Sequence, residues 1–173
     1  MVLDHGWHIF AVALWLFGDV RDVFARIDRT ALSWDGLYMD APASMSWRHV
    51  DPPVHANYDC TFAPEMLVRT DYYASNEWIE ITGETGIIKI SRCSARPLDE
   101  PVLSVYSNGE VHQFHNIEAD WGESFRLSTV QYLKFLKKED DRLILTPEEG
   151  RKILEMLLAL SESSRQEKPI KLS

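Results

Sequence analysis

The chain opens on an apolar run with two ionisable residues at its head. Residues Met1 to Gly18 read MVLDHGWHIFAVALWLFG, and nine apolar residues follow one another from Ile9 to Phe17. A helix apolar on every side is a buried helix, and Gly18 suits the position just past its end. Val20, Val23, Ala25 and Ile27 then sit among polar residues, a strand-like segment whose imperfect periodicity also admits a helix. The pattern lapses from Thr30 to Pro53, a stretch holding Trp34, Met39, Met45, Trp47, Pro42, Pro52 and Pro53. It reads as a long loop with short structured pieces.

From Asn57 the pattern turns to strands. Asn57 to Phe62 and Met66 to Tyr73 read as two of them, joined through Ala63, Pro64 and Glu65. Trp78, Ile79 and Ile81 lead into the turn TGETG, and Ile87, Ile88 and Ile90 lead out, a hairpin pattern. A second hairpin is signalled by Asn108-Gly109 between Val102–Ser107 and Glu110–Phe114, with Arg92 to Glu100 as the connection. A helix is predicted from about Glu123 to Lys137. Another is announced by Thr146-Pro147-Glu148-Glu149, a capping box with proline at the first helical position. Ile153, Leu154, Leu157 and Leu158 form its apolar stripe, and the polar tail ends in a short extended piece. Helix, many strands, then two helices predict an α+β fold: an open, mainly antiparallel sheet with helices on one face.

Size and charge narrow the function. A chain of 173 residues suits a single domain over 1–173. A net charge of −9 argues against nucleic acid, which demands a basic patch, and against anionic membrane surfaces. The opening run lacks a basic lead, ends in bulky residues and is too short to cross a bilayer, so neither a signal peptide nor a membrane span is expected. Cys60 and Cys93 make no disulfide framework, and a cytoplasmic location is expected.

The candidate chemistry sits in the opening helix. Asp4 and His8 are four apart, which places them on one face, a turn from each other. A carboxylate that orients an imidazole makes a proton-handling pair near neutral pH. The same residues also read as an ordinary N-cap and a core histidine with a satisfied hydrogen bond. The pairs His5 and His8, His49 and His55, and His112 and His115 lack the three or four convergent ligands of a zinc site, so no metal is expected. Neither cysteine has a nucleophile's local signature. Gly83 and Gly86 fall in a hairpin, not between a strand and a helix, which speaks against a phosphate-binding loop.

Three stretches together resemble the C-terminal domain of the Gfo/Idh/MocA oxidoreductases (glucose-fructose oxidoreductase, inositol dehydrogenase and relatives). They are VLDHGWHIFAVALWLFGDVRDVFA, IEITGETGIIKI and LTPEEGRKILEMLLALSESSRQEKPIKL, the last with Ser163, Ser164 and Arg165 near the helix end. The resemblance implies a sheet domain like the C-terminal domain of glyceraldehyde-3-phosphate dehydrogenase. It implies substrate contacts, self-association through the sheet, and an NAD or NADP cofactor held by a separate Rossmann domain, so none is expected on this chain alone. It assigns Asp4 and His8 to catalysis on a sugar, polyol or related secondary alcohol, with Trp7 as a wall of the site or a packing residue. His49, by its position in a loop with Asp51, and His5 are the further candidates for substrate contact. The Rossmann domain and its E-K-P lysine are not in these residues, so the chain reads as a domain cut from a longer enzyme or as a truncated gene product. The rival reading is a non-catalytic assembly or ligand-sensing domain that keeps the sheet. A weaker one is a sugar-binding module using Trp34, Trp47 and Trp121.

Overall fold

A computed structural model describes residues 2–32, 36–62, 76–91, 100–118, 120–143 and 145–172. The elements are α1 (Val2–Phe17), β1 (Val20–Ile27), β2 (Thr30–Ala31), β3 (Tyr38–Met39), β4 (Ala43–His49), β5 (His55–Cys60), β6 (Trp78–Thr82), β7 (Gly86–Ser91), β8 (Leu103–Ser107), β9 (Glu110–Phe114), α2 (Trp121–Leu136), α3 (Pro147–Gln166) and β10 (Ile170–Lys171). Every described strand pairing is antiparallel. Mixed helices with open antiparallel sheets make the fold α+β, as the pattern predicts. The chain divides into two compact units, residues 1–64 with 144–173, and residues 65–143. The expected strand Met66–Tyr73, most of the connection 92–99, Trp34 and Cys93 lie outside the described residues.

In the first unit the sheet order is β10-β1-β4-β5, with the β2–β3 hairpin apart from it. β4 corrects the expectation of a loop from Thr30 to Pro53. Ala43, Met45, Trp47 and His49 point inward and are buried, while Ser44, Ser46 and Arg48 point outward. That is a period-two strand pattern, and the flanking prolines at 42 and 52 hide it from a window that spans them. β4 is the central strand, paired with β1 from His49↔Val20 to Ala43↔Ile27 and with β5 from Ala43↔Cys60 to Arg48↔His55.

α1 and α3 cover the inward face of this sheet. Phe10, Met45, Met156, Leu157 and Leu160 form its buried centre. The Phe10 ring stands edge-on to Trp47, with centroids 5.4 Å apart at 89°, the geometry aromatic quadrupoles favour. α1 ends as expected. Gly18 has φ +71° and its N–H donates to the Leu14 carbonyl at 2.9 Å. Its burial differs from expectation. Only the stripe Val2, Gly6, Phe10 and Ala13 is buried, and Leu3, Trp7, Val12, Trp15 and Leu16 remain exposed. The α3 stripe shifts in the same way. Ile153, Met156, Leu157 and Leu160 are buried, whereas Leu154 and Leu158 face out.

The end of α3 completes the edge of β1. β10 pairs only with Asp22 and Val23. Further along the strand the N–H groups of Ala25 and Ile27 donate to Ser163 Oγ at 3.1 Å and Ser164 Oγ at 2.9 Å. Two helix hydroxyls thus satisfy donors that a longer β10 would otherwise take.

The second unit holds an antiparallel meander, β6-β7-β8-β9, and α2. Both hairpins form where the turn residues predict. Asn108 and Gly109 adopt φ 53° and 82°, as a tight hairpin demands. In TGETG the second glycine is structural. A Cβ on Gly86 would lie 2.3 Å from the Tyr106 carbonyl oxygen across the β7–β8 ladder. α2 starts two residues before the expected Glu123, capped by Asp120, which accepts from the Glu123 N–H. α3 carries the full Thr146–Glu149 capping box.

Candidate functional site

The first two turns of α1 carry Asp4, His5, Trp7 and His8. Helical spacing puts Asp4 and His8 on one face, and both are exposed. Gly6 decides which face that is. It is buried against α3, where an added Cβ would meet Phe10 Cε2 at 2.9 Å and Leu157 Cδ2 at 3.1 Å. A larger residue would have to displace the Phe10 ring and the end of Leu157. With glycine there the helix lies close, and the side chains opposite are turned outward. His5 is half-buried beside His8, its ring 6.1 Å from the His8 ring at 75°. Trp7 lies exposed on the same turns.

Such an arrangement can hold a polar ligand and move a proton. The carboxylate accepts only. The imidazole donates through one nitrogen and accepts through the other, so it can exchange a proton with a hydroxyl held against it.

His49 lies elsewhere. It is 1% exposed, in the core. The Trp47 indole Nε1–H donates to His49 Nε2 at 2.9 Å, and His49 Nδ1 lies 2.9 Å from the Gly18 carbonyl oxygen. An indole only donates and a carbonyl only accepts, so the ring proton sits on Nδ1 and both nitrogens are engaged. Gly18 lies ten residues beyond His8, roughly 15 Å along the helix at 1.5 Å per residue. The structure therefore separates His49 from the Asp4–His8 face and uses it to tie β4 to the end of α1.

The remaining candidates do not converge. His112 Nε2 lies 3.5 Å from Glu110 Oε2 on β9, and His115 follows the end of that strand. Among the described residues no three of His, Cys, Asp and Glu gather as a metal site. Burial pushes the Cys60 thiol up, away from the thiolate form. No described helix is long and apolar enough to cross a membrane.

Sequence reasoning missed one residue at this site, Asp40. Its Oδ2 accepts the Leu3 N–H at 2.9 Å. It stands 37 positions from Leu3, and no local signal links them.

The chain is similar to several solved structures. One is an oxidoreductase from Agrobacterium radiobacter in complex with NAD+, L-tartaric acid and magnesium (TM-score 0.74, 17% identity, covering 99% of this chain and 48% of that one). The WlbA dehydrogenase from Bordetella pertussis in complex with NADH and UDP-GlcNAcA matches with TM-score 0.66 and 16% identity, covering 99% and 45%. An oxidoreductase from Thermotoga maritima matches with TM-score 0.64 and 16% identity, covering 98% and 43%. At these identities the likeness is one of fold. This chain spans less than half the length of each of the three. A comparison with curated protein sequences finds no match. The model of the oxidoreductase family C-terminal alpha/beta domain matches residues 1–172. The chain therefore belongs to the Gfo/Idh/MocA oxidoreductase family, as its C-terminal alpha/beta domain.

Proposed function

We propose that residues 1–173 form the substrate-binding and oligomerisation domain of an NAD(P)-dependent oxidoreductase acting on a sugar, polyol or related secondary alcohol. The observation that carries this reading is the Asp4–His8 pair, exposed on one face of α1, with His5 beside His8. The family membership and the NAD+ and NADH complexes of similar structures support it. So do the other molecules in those complexes, UDP-GlcNAcA in one and L-tartaric acid in the other, each rich in hydroxyl or carboxylate groups.

A nicotinamide, when bound, supplies the carbon that accepts or gives hydride. The described glycines of this chain offer it no cradle. Gly83 and Gly86 serve a hairpin, and Gly109 serves another. The dinucleotide belongs to the further length that the relatives carry. The exposed Val12, Trp15 and Leu16 lie on one side of α1 and are the residues that this second half would cover. The residues of this chain handle the proton. His8 takes it from the substrate hydroxyl, or returns it in reduction. Asp4 orients the imidazole, Trp7 walls the site and His5 steadies the approach. Two cysteines in 173 residues suit a reducing cytoplasm.

The test is turnover by the complete enzyme with His8→Ala. A loss of at least about 100-fold is expected, the lower size of general-base catalysis. Near-normal turnover removes His8 from the chemistry. A second reading, a non-catalytic assembly or ligand-sensing domain, draws on the apolar face of the β6–β9 meander. Ile88, Ile90 and Phe114 are exposed there. A binding domain gives no reason for Asp4 and His8 to share one face of α1, which favours the first reading.

A further inference from the structure

We propose that Asp40 is a positioning residue for the Asp4–His8 pair, acting as a cap on α1 supplied by a distant segment. The inference rests on the functional reading above. The first four N–H groups of a helix have no partner within it, and at α1 one of them, that of Leu3, donates to Asp40 Oδ2 at 2.9 Å. A carboxylate there is also favoured by the helix dipole. Leu3 directly precedes Asp4 and lies five residues before His8. The bond therefore fixes the turn from which both side chains project.

Asp40 is itself held by a pinned backbone. Before it, β3 pairs with β2 through Thr30↔Met39 and Ala31↔Tyr38. After it, the fully buried Ala41 presents its carbonyl to the Thr30 hydroxyl at 2.6 Å. The next carbonyl, that of Pro42, accepts the Asp28 N–H at 2.9 Å. Hydrogen bonds thus hold the chain on both sides of Asp40. The loop that carries it transmits the position of the sheet edge to the start of α1.

The test reads the cap and the chemistry separately. In this chain, Asp40→Ala should speed amide hydrogen exchange at Leu3 by about fivefold, the usual effect of losing a cap. Exchange at Ala13 and Leu14 should not change. Asp40→Asn keeps an acceptor oxygen and should restore slow exchange at Leu3. In the complete enzyme, Asp40→Ala should lower kcat while the KM for the nicotinamide cofactor stays the same, and Asp40→Asn should recover most of the loss. If Asp40→Ala does not fold, Asp40→Glu, with its carboxylate displaced by one methylene, should show the same pattern in smaller measure. Unchanged exchange at Leu3 overturns the cap. Faster exchange with unchanged kcat, in an enzyme that His8→Ala inactivates, overturns the positioning role. If His8→Ala is itself fully active, the catalytic reading has failed, while the exchange result still decides whether Asp40 caps α1.

Discussion

Ser163 offers a sharp test of how the first unit is held together. It is 0% exposed, its Oγ accepts the Ala25 N–H at 3.1 Å and donates to the Lys168 carbonyl at 2.7 Å, and Ala25 is equally buried. Ser163→Ala removes both bonds. The Ala25 N–H is then left in the core without a partner, which costs about 1–3 kcal/mol. Lys168 is exposed, so water can take over at its carbonyl and adds little. Alanine is the better helix former, which returns roughly 0.5 kcal/mol. The net expectation is a loss of about 1.5 kcal/mol. With an m-value of about 2 kcal/mol/M, the urea midpoint followed by far-UV circular dichroism should fall by about 0.7 M. Ser164→Ala is the internal control. Ser164 accepts the Ile27 N–H at 2.9 Å in a half-buried setting, where water can reach the freed donor, so its loss should be about 0.5–1 kcal/mol. The reasoning fails if Ser163→Ala costs less than Ser164→Ala, or nothing measurable.

Asp22 should make the same unit sensitive to acid. Its carboxylate is only 8% exposed and accepts from Arg48 Nε at 2.8 Å and Nη2 at 2.5 Å. The Arg48 guanidinium, aided by Arg21, holds the carboxyl below its ordinary value against the opposing effect of burial. A lowered folded value means the stabilisation is present above about pH 4 and is lost as the pH falls through the lowered value. Asp22→Asn should therefore lower the urea midpoint at pH 7, by an amount that shrinks as the pH drops below about 4. A deficit independent of pH would show that the ion pair is not its source. Self-association is the third expectation. Sedimentation equilibrium should give a dimer or larger species, and Ile88→Lys, on the exposed apolar face of the meander, should shift it toward monomer. A strict monomer at high concentration counts against the sheet as an interface.

Local chemistry was the most legible part of the sequence. Thr146 to Glu149, Asn108-Gly109 and Gly18 each act within a few residues, and each does in the structure what its chemistry predicts. β4 was harder, because its alternating pattern is only seven residues long and lies between prolines that argue for a loop. The direction of burial was harder still. In α3, Leu154 and Leu158 are as apolar as Leu157 and Leu160. The partner that separates them is β1, along with α1, and neither is visible in the local pattern. His49 shows the limit from the other side. A histidine in an apparently irregular stretch invites a ligand role, and only the register of β4 places its ring between Trp47 and the end of α1.

The site shows the same division. Spacing alone sets Asp4 and His8 on one face, because a helix repeats every 3.6 residues. Which way that face points could not be read from apolar residues, since α1 carries them on both sides. Gly6 carries that information. It is the residue of the first two turns whose missing side chain lets α1 approach Leu157, and it lies on the opposite side of the helix from His8 by the same periodicity. Closeness to α3 at Gly6 and exposure at Asp4 and His8 are thus one geometric fact. Were the core reading of His8 correct, the tight contact would fall on its side of the helix and the glycine would face solvent. The proton-handling reading needs the reverse, a rigid near side and an open far side. Gly6 supplies the first through α3, and Asp40 holds the turn through the Leu3 N–H.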